Sequence, residues 1–170
     1  GVVQSAFGFA GQKCSACSRV IVIEDAYEAF VRRLVEACRD LHIAPAHQPE
    51  CRLGPVIDRT AFEKLQRIID DPGPGARPLF IGQAPSGGYY VPPAIFAVEG
   101  AKHRLMQEEF FGPGLAVAKT GCFEQALRLA ESTEFALTGS VYSRNPDHLE
   151  KAKRCFRVGN LYFNRSCTGA

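Results

Sequence analysis

Apolar residues recur along this chain at two spacings, and the alternation between them outlines the elements. The opening run Val2-Val3-Gln4-Ser5-Ala6-Phe7-Gly8-Phe9 reads as a helix without a cap. Arg19-Val20-Ile21-Val22-Ile23 is a short continuous apolar run, the mark of a strand. Tyr27, Phe30, Val31, Leu34, Val35, Cys38 and Leu41 then come at steps of three and four, which gives a helix one apolar face. Glu24-Asp25 at its entrance suit the positive end of the helix dipole. After a Pro-containing loop from His42 to Leu53, Phe62, Leu65, Ile68 and Ile69 predict a second helix, with Asp58 or Thr60 as its cap.

Asp71-Pro72-Gly73-Pro74-Gly75 ends that helix, and Pro78-Leu79-Phe80-Ile81 is the next strand. Tyr89-Tyr90-Val91 is extended, and Pro92-Pro93 should keep the residues after them off a central ladder position. Strands are expected at Leu115–Ala118, Leu137–Tyr142 and Gly159–Phe163, with helices over 123–132 and 146–157 between them. Strands alternating with helices imply right-handed crossovers and a mostly parallel sheet covered on both faces. The expectation is one α/β domain over 1–170, a three-layer α/β/α arrangement.

Composition narrows the function. A 46% hydrophobic, 22% charged chain is globular rather than disordered. Twenty basic against eighteen acidic residues leave +2 with no block of one sign, so nothing supports a nucleic-acid or membrane-surface partner. No apolar run reaches the roughly 18–20 residues of a membrane span. Seven cysteines, an odd number, read as reduced thiols of a cytoplasm-like compartment, with Cys38, Cys155 and Cys122 expected to be buried. The four histidines are isolated, so no metal site is expected. The uncapped start and the stop after Thr168-Gly169-Ala170 read as the ends of a piece cut from a longer polypeptide.

Three places could carry chemistry. In Gly11-Gln12-Lys13-Cys14 a thiol comes after a helix, beside a lysine and a glycine. A free cysteine has a pKa of about 8.5, and nearby positive charge or backbone N–H groups lower it, which makes a nucleophile. Cys14 and Cys17 also read as two small buried residues; a redox dithiol would need a strand before it, where the preceding segment reads as a helix, and a zinc site would need a second Cys-x-x-Cys, which the chain lacks. In Gln107-Glu108-Glu109-Phe110-Phe111-Gly112-Pro113, a carboxylate could hold ligand hydroxyls and an aromatic face could lie beside a flat heterocycle, or the stretch is a solvated acidic end before core phenylalanines. Thr168-Gly169-Ala170 leaves amides open to an anion, or is a frayed end. No G-x-x-x-x-G-K-[ST], H-E-x-x-H, G-x-S-x-G or post-strand G-x-G-x-x-G occurs, so the main fold for any dinucleotide is expected outside this chain.

Taken together, Phe9-Ala10-Gly11-Gln12-Lys13-Cys14, Leu53-Gly54-Pro55-Val56-Ile57, Gly88-Tyr89-Tyr90-Val91-Pro92-Pro93 and Glu109-Phe110-Phe111-Gly112-Pro113 resemble blocks of the aldehyde dehydrogenase catalytic domain. Leu137–Ser143 and Gly159–Asn164 complete six blocks in the family's order, across essentially the whole chain. Gln12–Arg19 and Asn160–Arg165, with Thr168-Gly169-Ala170 after them, are similar to the 1-pyrroline-5-carboxylate dehydrogenase branch. That resemblance implies oxidation of L-glutamate γ-semialdehyde to glutamate in proline catabolism, through a hemithioacetal and a thioester on Cys14, with NAD as hydride acceptor. It implies that the N–H of Cys14 helps hold the oxyanion, that Glu109 binds nicotinamide-ribose hydroxyls with Phe111 near the ring, and that Ser15, Gly169 and Ala170 anchor the substrate carboxylate. It further implies a small-molecule substrate, a homo-oligomeric parent, and a parent that either stands alone or is fused to a proline dehydrogenase. The compartment implied is the cytoplasm, or the mitochondrial matrix in a eukaryote. The family's oxyanion asparagine, general-base glutamate and cofactor-binding domain have no counterpart in these residues, so the isolated chain is expected to be inactive.

Overall fold

The computed structural model describes residues 1–169. Its centre is a four-stranded sheet in the order β1-β4-β3-β2, built from β1 Arg19–Ile23, β2 Arg77–Ile81, β3 Ala94–Val98 and β4 Gly114–Thr120. β1, β4 and β3 run parallel, and β2 joins as an antiparallel edge. Parallel strands are buried on both faces and read as unbroken apolar runs, as Leu115-Ala116-Val117-Ala118 does. Their side chains alternate between the faces. Ile95, Leu115 and Val117 pack with Phe7 of α1 (Val2–Phe7) and with Tyr27, Leu34 and Cys38 of α2 (Glu24–Arg39). Phe96, Val98, Ala116 and Ala118 pack with Leu65 and Ile68 of α3 (Arg59–Asp70) and Leu105 and Met106 of α4 (Arg104–Gln107). The three layers of the α/β/α expectation are these. Of the two expected caps of α3, Asp58 serves, its carboxylate accepting from the Ala61 N–H at 2.8 Å.

Beyond β4 the chain forms α5 Phe123–Ala130, β5 Thr138–Val141, α6 Pro146–Cys155 and β6 Asn160–Phe163. β5 and β6 pair in parallel as a small sheet of their own. Phe123, Leu127, Val141 and Ala152 make its core, which Ile23 at the end of β1 joins to the main body.

Three local expectations are corrected. The residues after Pro92-Pro93 form β3, a central strand. Proline denies the ladder only its own N–H, and here the ladder starts one residue later, with Ala94 donating to the Pro113 carbonyl at 2.9 Å. The opening helix stops at Phe7, because Phe9 and Ala10 take left-handed conformations. Cys38 is buried, but Cys122 is only half-buried and Cys155 is exposed. Cys155 lies off the Leu149–Ala152–Phe156 stripe that α6 turns inward. No helix among the described residues is long and apolar enough to cross a membrane.

Candidate active site

The segment after α1 is a strained turn. Phe9 and Ala10 have φ of 54° and 55°, and Gly11 comes next at 66°. A left-handed residue with a side chain costs about 1–2 kcal/mol and persists only where its surroundings fix it. Ala10 is held in the α3-side core. Gly11 lies so close to the facing loop that a Cβ there would sit 2.1 Å from the Gly112 carbonyl oxygen. Gln12 pins the far side, its Oε1 accepting the Ile57 N–H at 3.0 Å. The chain then turns over, with Ala16 N–H donating to the Lys13 carbonyl at 2.9 Å, and leaves Cys14 exposed at the tip. The N–H of Cys14 has no backbone acceptor among the described residues. Lys13 carries its ammonium 4.6 Å from the centre of the Phe9 ring, which is itself 76% exposed.

The facing loop runs from α4 into β4. Arg104 pairs with Glu108 at 2.9 Å, and Lys64 donates to the Glu109 carbonyl at 3.0 Å, which leaves the Glu109 carboxylate without an ion pair among the described residues. Phe110 points into the core, whereas Phe111 is 41% exposed at a left-handed φ of 54°. Gly112 is fixed by packing, since a Cβ there would lie 2.3 Å from Leu65.

Between these two loops lies a cleft of about 280 Å³ that Cys14, Glu109 and Phe111 all line. The backbone contact of Gly11 with Gly112 is what sets them opposite one another. Ser15 stands just behind the tip, its carbonyl accepting from Thr138 Oγ1 at 3.4 Å and from the Cys167 thiol at 3.6 Å. Gly169 is exposed at φ 109° and does not line the cleft; its link to Ser15 runs through Cys167. Ala170 lies outside the described residues.

The reading of Cys14 and Cys17 as two buried residues does not hold, since Cys14 is exposed and Cys17 half-buried. Three features of the cleft escaped the sequence. Phe135, Leu137 and Thr138 form its second wall; Leu137 and Thr138 lie in a predicted strand and Phe135 just before it, with nothing local to mark them as cleft residues. Arg19 reaches from β1 to donate to the Ala130 carbonyl at 3.4 Å. Ser5, 2% exposed, takes the Cys17 N–H on its carbonyl at 3.0 Å and the Cys167 N–H on its hydroxyl at 3.2 Å. The pairing of Cys17 with Cys167 shifts both thiols: a hydrogen bond between them, with burial, raises Cys17 well above the usual thiol value, and the same bond, aided by the Ser5 hydroxyl, lowers Cys167. Burial alone pushes Cys38 up to about 12. Among the described residues no three histidine, cysteine or acidic side chains group as a metal would need.

The model of the aldehyde dehydrogenase family matches residues 1–170. The chain is 46% identical to 1-pyrroline-5-carboxylate dehydrogenase of Geobacillus kaustophilus, over 99% of this chain and 33% of that protein. Among solved structures, 1-pyrroline-5-carboxylate dehydrogenase from Thermus with bound NAD superposes with a TM-score of 0.95 at 43% identity, covering 100% of this chain and 33% of that one. Proline utilization A from Bdellovibrio bacteriovorus superposes with a TM-score of 0.97 at 46% identity, covering 100% of this chain and 18% of that one. The chain therefore spans about a third of the length of the curated relatives it matches.

Proposed function

The chain belongs to the aldehyde dehydrogenase family, and from that premise we propose that it is the nucleophile-bearing part of an NAD-dependent dehydrogenase that oxidises L-glutamate γ-semialdehyde to glutamate. The observation that carries this reading is the cleft itself, with Cys14 on one rim and Glu109 and Phe111 on the other. Identity of 43–46% to 1-pyrroline-5-carboxylate dehydrogenases over the full chain supports the choice of aldehyde.

Cys14 sits at the tip of a turn whose strain and packing leave its sulfur free to meet a carbonyl carbon. Its attack forms a C–S bond and moves the carbonyl π electrons onto oxygen. The proposed donor to that oxyanion is the Cys14 N–H, a role supported by its lack of a backbone acceptor among the described residues. The facing loop fits a nicotinamide nucleotide: Glu109 offers two ribose hydroxyls a carboxylate that has no ion pair among the described residues, and Phe111 offers an exposed ring face beside a flat heterocycle. NAD+ supplies the hydride acceptor when bound. Ser15 and Gly169, with Ala170, are proposed to hold the second, carboxylate end of the substrate, which the fixing of Ser15 through Cys167 supports.

On this reading most of the cofactor site, and the remaining catalytic groups, belong to segments outside 1–170, and the isolated chain does not turn over. Partners are a small-molecule substrate and further copies of the parent. The similarity to proline utilization A supports a parent that is either separate or fused to a proline dehydrogenase. A cytoplasmic location accords with the bacterial relatives.

The test is NADH formation by the full-length dehydrogenase carrying this chain, wild type and Cys14→Ala, with L-glutamate γ-semialdehyde and with an aliphatic aldehyde. Loss of at least about 10³-fold in kcat with Cys14→Ala, and preference for the semialdehyde, is the expected result. Preference for the aliphatic aldehyde would remove the carboxylate-anchor role of Ser15, Gly169 and Ala170. Retained activity in the variant would remove Cys14 as the nucleophile.

A further inference from the structure

The sequence offered Cys14-x-x-Cys17 as a redox pair, yet the fold gives Cys17 a different neighbour. Its thiol donates to the Arg19 carbonyl at 3.4 Å, and Cys167, which arrives from the far end of the chain, donates its own thiol proton to the Ser15 carbonyl at 3.6 Å, two residues before Cys17. Both backbones hang from one residue, Cys17 from the carbonyl of Ser5 and Cys167 from its hydroxyl. Cys167 is 7% exposed and Cys17 lines the cleft, so the cleft is the side from which a small oxidant approaches the pair. Cys14, at the outer tip of its turn, is not part of this cluster.

We propose that Cys17 and Cys167 are an oxidative modification site, a dithiol that hydroperoxides convert to a disulfide joining the nucleophile turn to the loop after β6. The Cys167 sulfur attacks one oxygen of hydrogen peroxide; the O–O bond breaks, hydroxide leaves, and a sulfenic acid remains. The Cys17 sulfur then attacks the sulfenic sulfur; the S–O bond breaks, and the departing hydroxyl takes the Cys17 proton as water. In total one dithiol, deprotonated at Cys167, and one peroxide give one disulfide, one water and one hydroxide. The hydrogen bond with Cys17 that lowers Cys167 favours the first step, because the thiolate is the reactive form. This site does not depend on the role given to Cys14.

The test exposes the chain, wild type and Cys14→Ser, to a small molar excess of hydrogen peroxide, alkylates the remaining thiols, digests with trypsin and reads the peptides by mass spectrometry. The expected product joins the 14–19 peptide to the peptide beginning at Ser166, forms in both proteins, and is absent from Cys17→Ser and Cys167→Ser. Alkylation at Cys17 and Cys167 falls about ten-fold, and dithiothreitol restores it. Three results would overturn the proposal: a Cys14–Cys17 bridge, oxidation confined to Cys14, or full alkylation of Cys17 and Cys167 under conditions that oxidise Cys14. The wild-type digest alone distinguishes these, so a variant that misfolds does not remove the test.

Discussion

The two sheets of this molecule are built to different standards. In the central sheet Leu115-Ala116-Val117-Ala118 is buried without interruption, and β3 beside it is nearly so. In the small sheet β6 has no fully buried residue, and β5 has two, Gly139 and Val141. Both chemical loops, the Cys14 turn and the Glu109–Phe111 turn, spring from the first body and touch backbone to backbone. The second body contributes the wall Phe135–Thr138 and the loop carrying Cys167 and Gly169. The hydrogen bonds that cross between them among the described residues are Thr138 and Cys167 to the Ser15 carbonyl, the Cys167 N–H to the Ser5 hydroxyl, Arg19 to the Ala130 carbonyl and Gln107 to the Ser132 carbonyl. The lesson is a division of labour. The turns that carry Cys14, Glu109 and Phe111 stand on the close-packed body, and the more open body shapes the cavity in front of them.

The largest effect should come from emptying the first body. Leu115→Ala, at a fully buried central position, is expected to cost about 3–5 kcal/mol, whereas Leu161→Ala in the half-buried β6 should cost about 1–2. Urea unfolding monitored by circular dichroism reads both. Equal losses would mean that the small sheet is as tightly packed as the large one, and the comparison would fall.

A smaller effect probes the seam. Gly11→Ala adds a Cβ 2.1 Å from the Gly112 carbonyl at a left-handed φ, and neither backbone can withdraw without moving the cleft. Gly159→Ala, at the entrance to β6, meets the Leu137 carbonyl at 2.9 Å with no such φ. We expect about 2–3 kcal/mol for the first and about 1 for the second. The first should also change the rate at which iodoacetamide alkylates Cys14. An unchanged alkylation rate would show that the Gly11–Gly112 contact does not position the thiol.

Much of the first body was legible in the sequence, because its strands are continuous apolar runs and α2 and α3 carry clean stripes. Residues 94–98 were lost to a rule about proline, which acts on the proline's own N–H and not on the strand behind it. The site was legible only in part. Cys14, Glu109 and Phe111 stood out as residue types in suggestive settings, and the fold brings them to one cleft. The Cys17–Cys167 pairing was illegible, because a contact between the two ends of a chain leaves no mark on local spacing. The Ser5 hydroxyl that organises it looked like an ordinary polar residue in an apolar helix. Left-handed conformations at Phe9, Ala10 and Phe111 were equally hidden, since neither phenylalanine nor alanine advertises a positive φ.

The smallest effect tests whether the second body relies on charge where it lacks core. Glu124 on α5 and Lys151 on α6 pair at 2.6 Å across the small sheet's helices. The Lys151 hydrogen bond first, then the Glu124 backbone N–H and the Cys122 side chain, hold the Glu124 carboxyl down at about 2 from an ordinary 4.5. A carboxyl lowered on folding stabilises the fold fully above its unfolded value, and that contribution disappears as pH falls through the folded one. The contribution of Glu124 should therefore be whole above about pH 4.5 and gone near pH 2. Because both side chains are close to half exposed, it should also shrink in high salt. Glu124→Gln should thus lower the melting temperature slightly at pH 5 and leave it unchanged near pH 2, with the gap at pH 5 narrowing as salt is added. A gap of equal size at both pH values would assign the loss to packing of the glutamate stem. The small sheet would then owe its stability to the Phe123–Val141–Ala152 core alone.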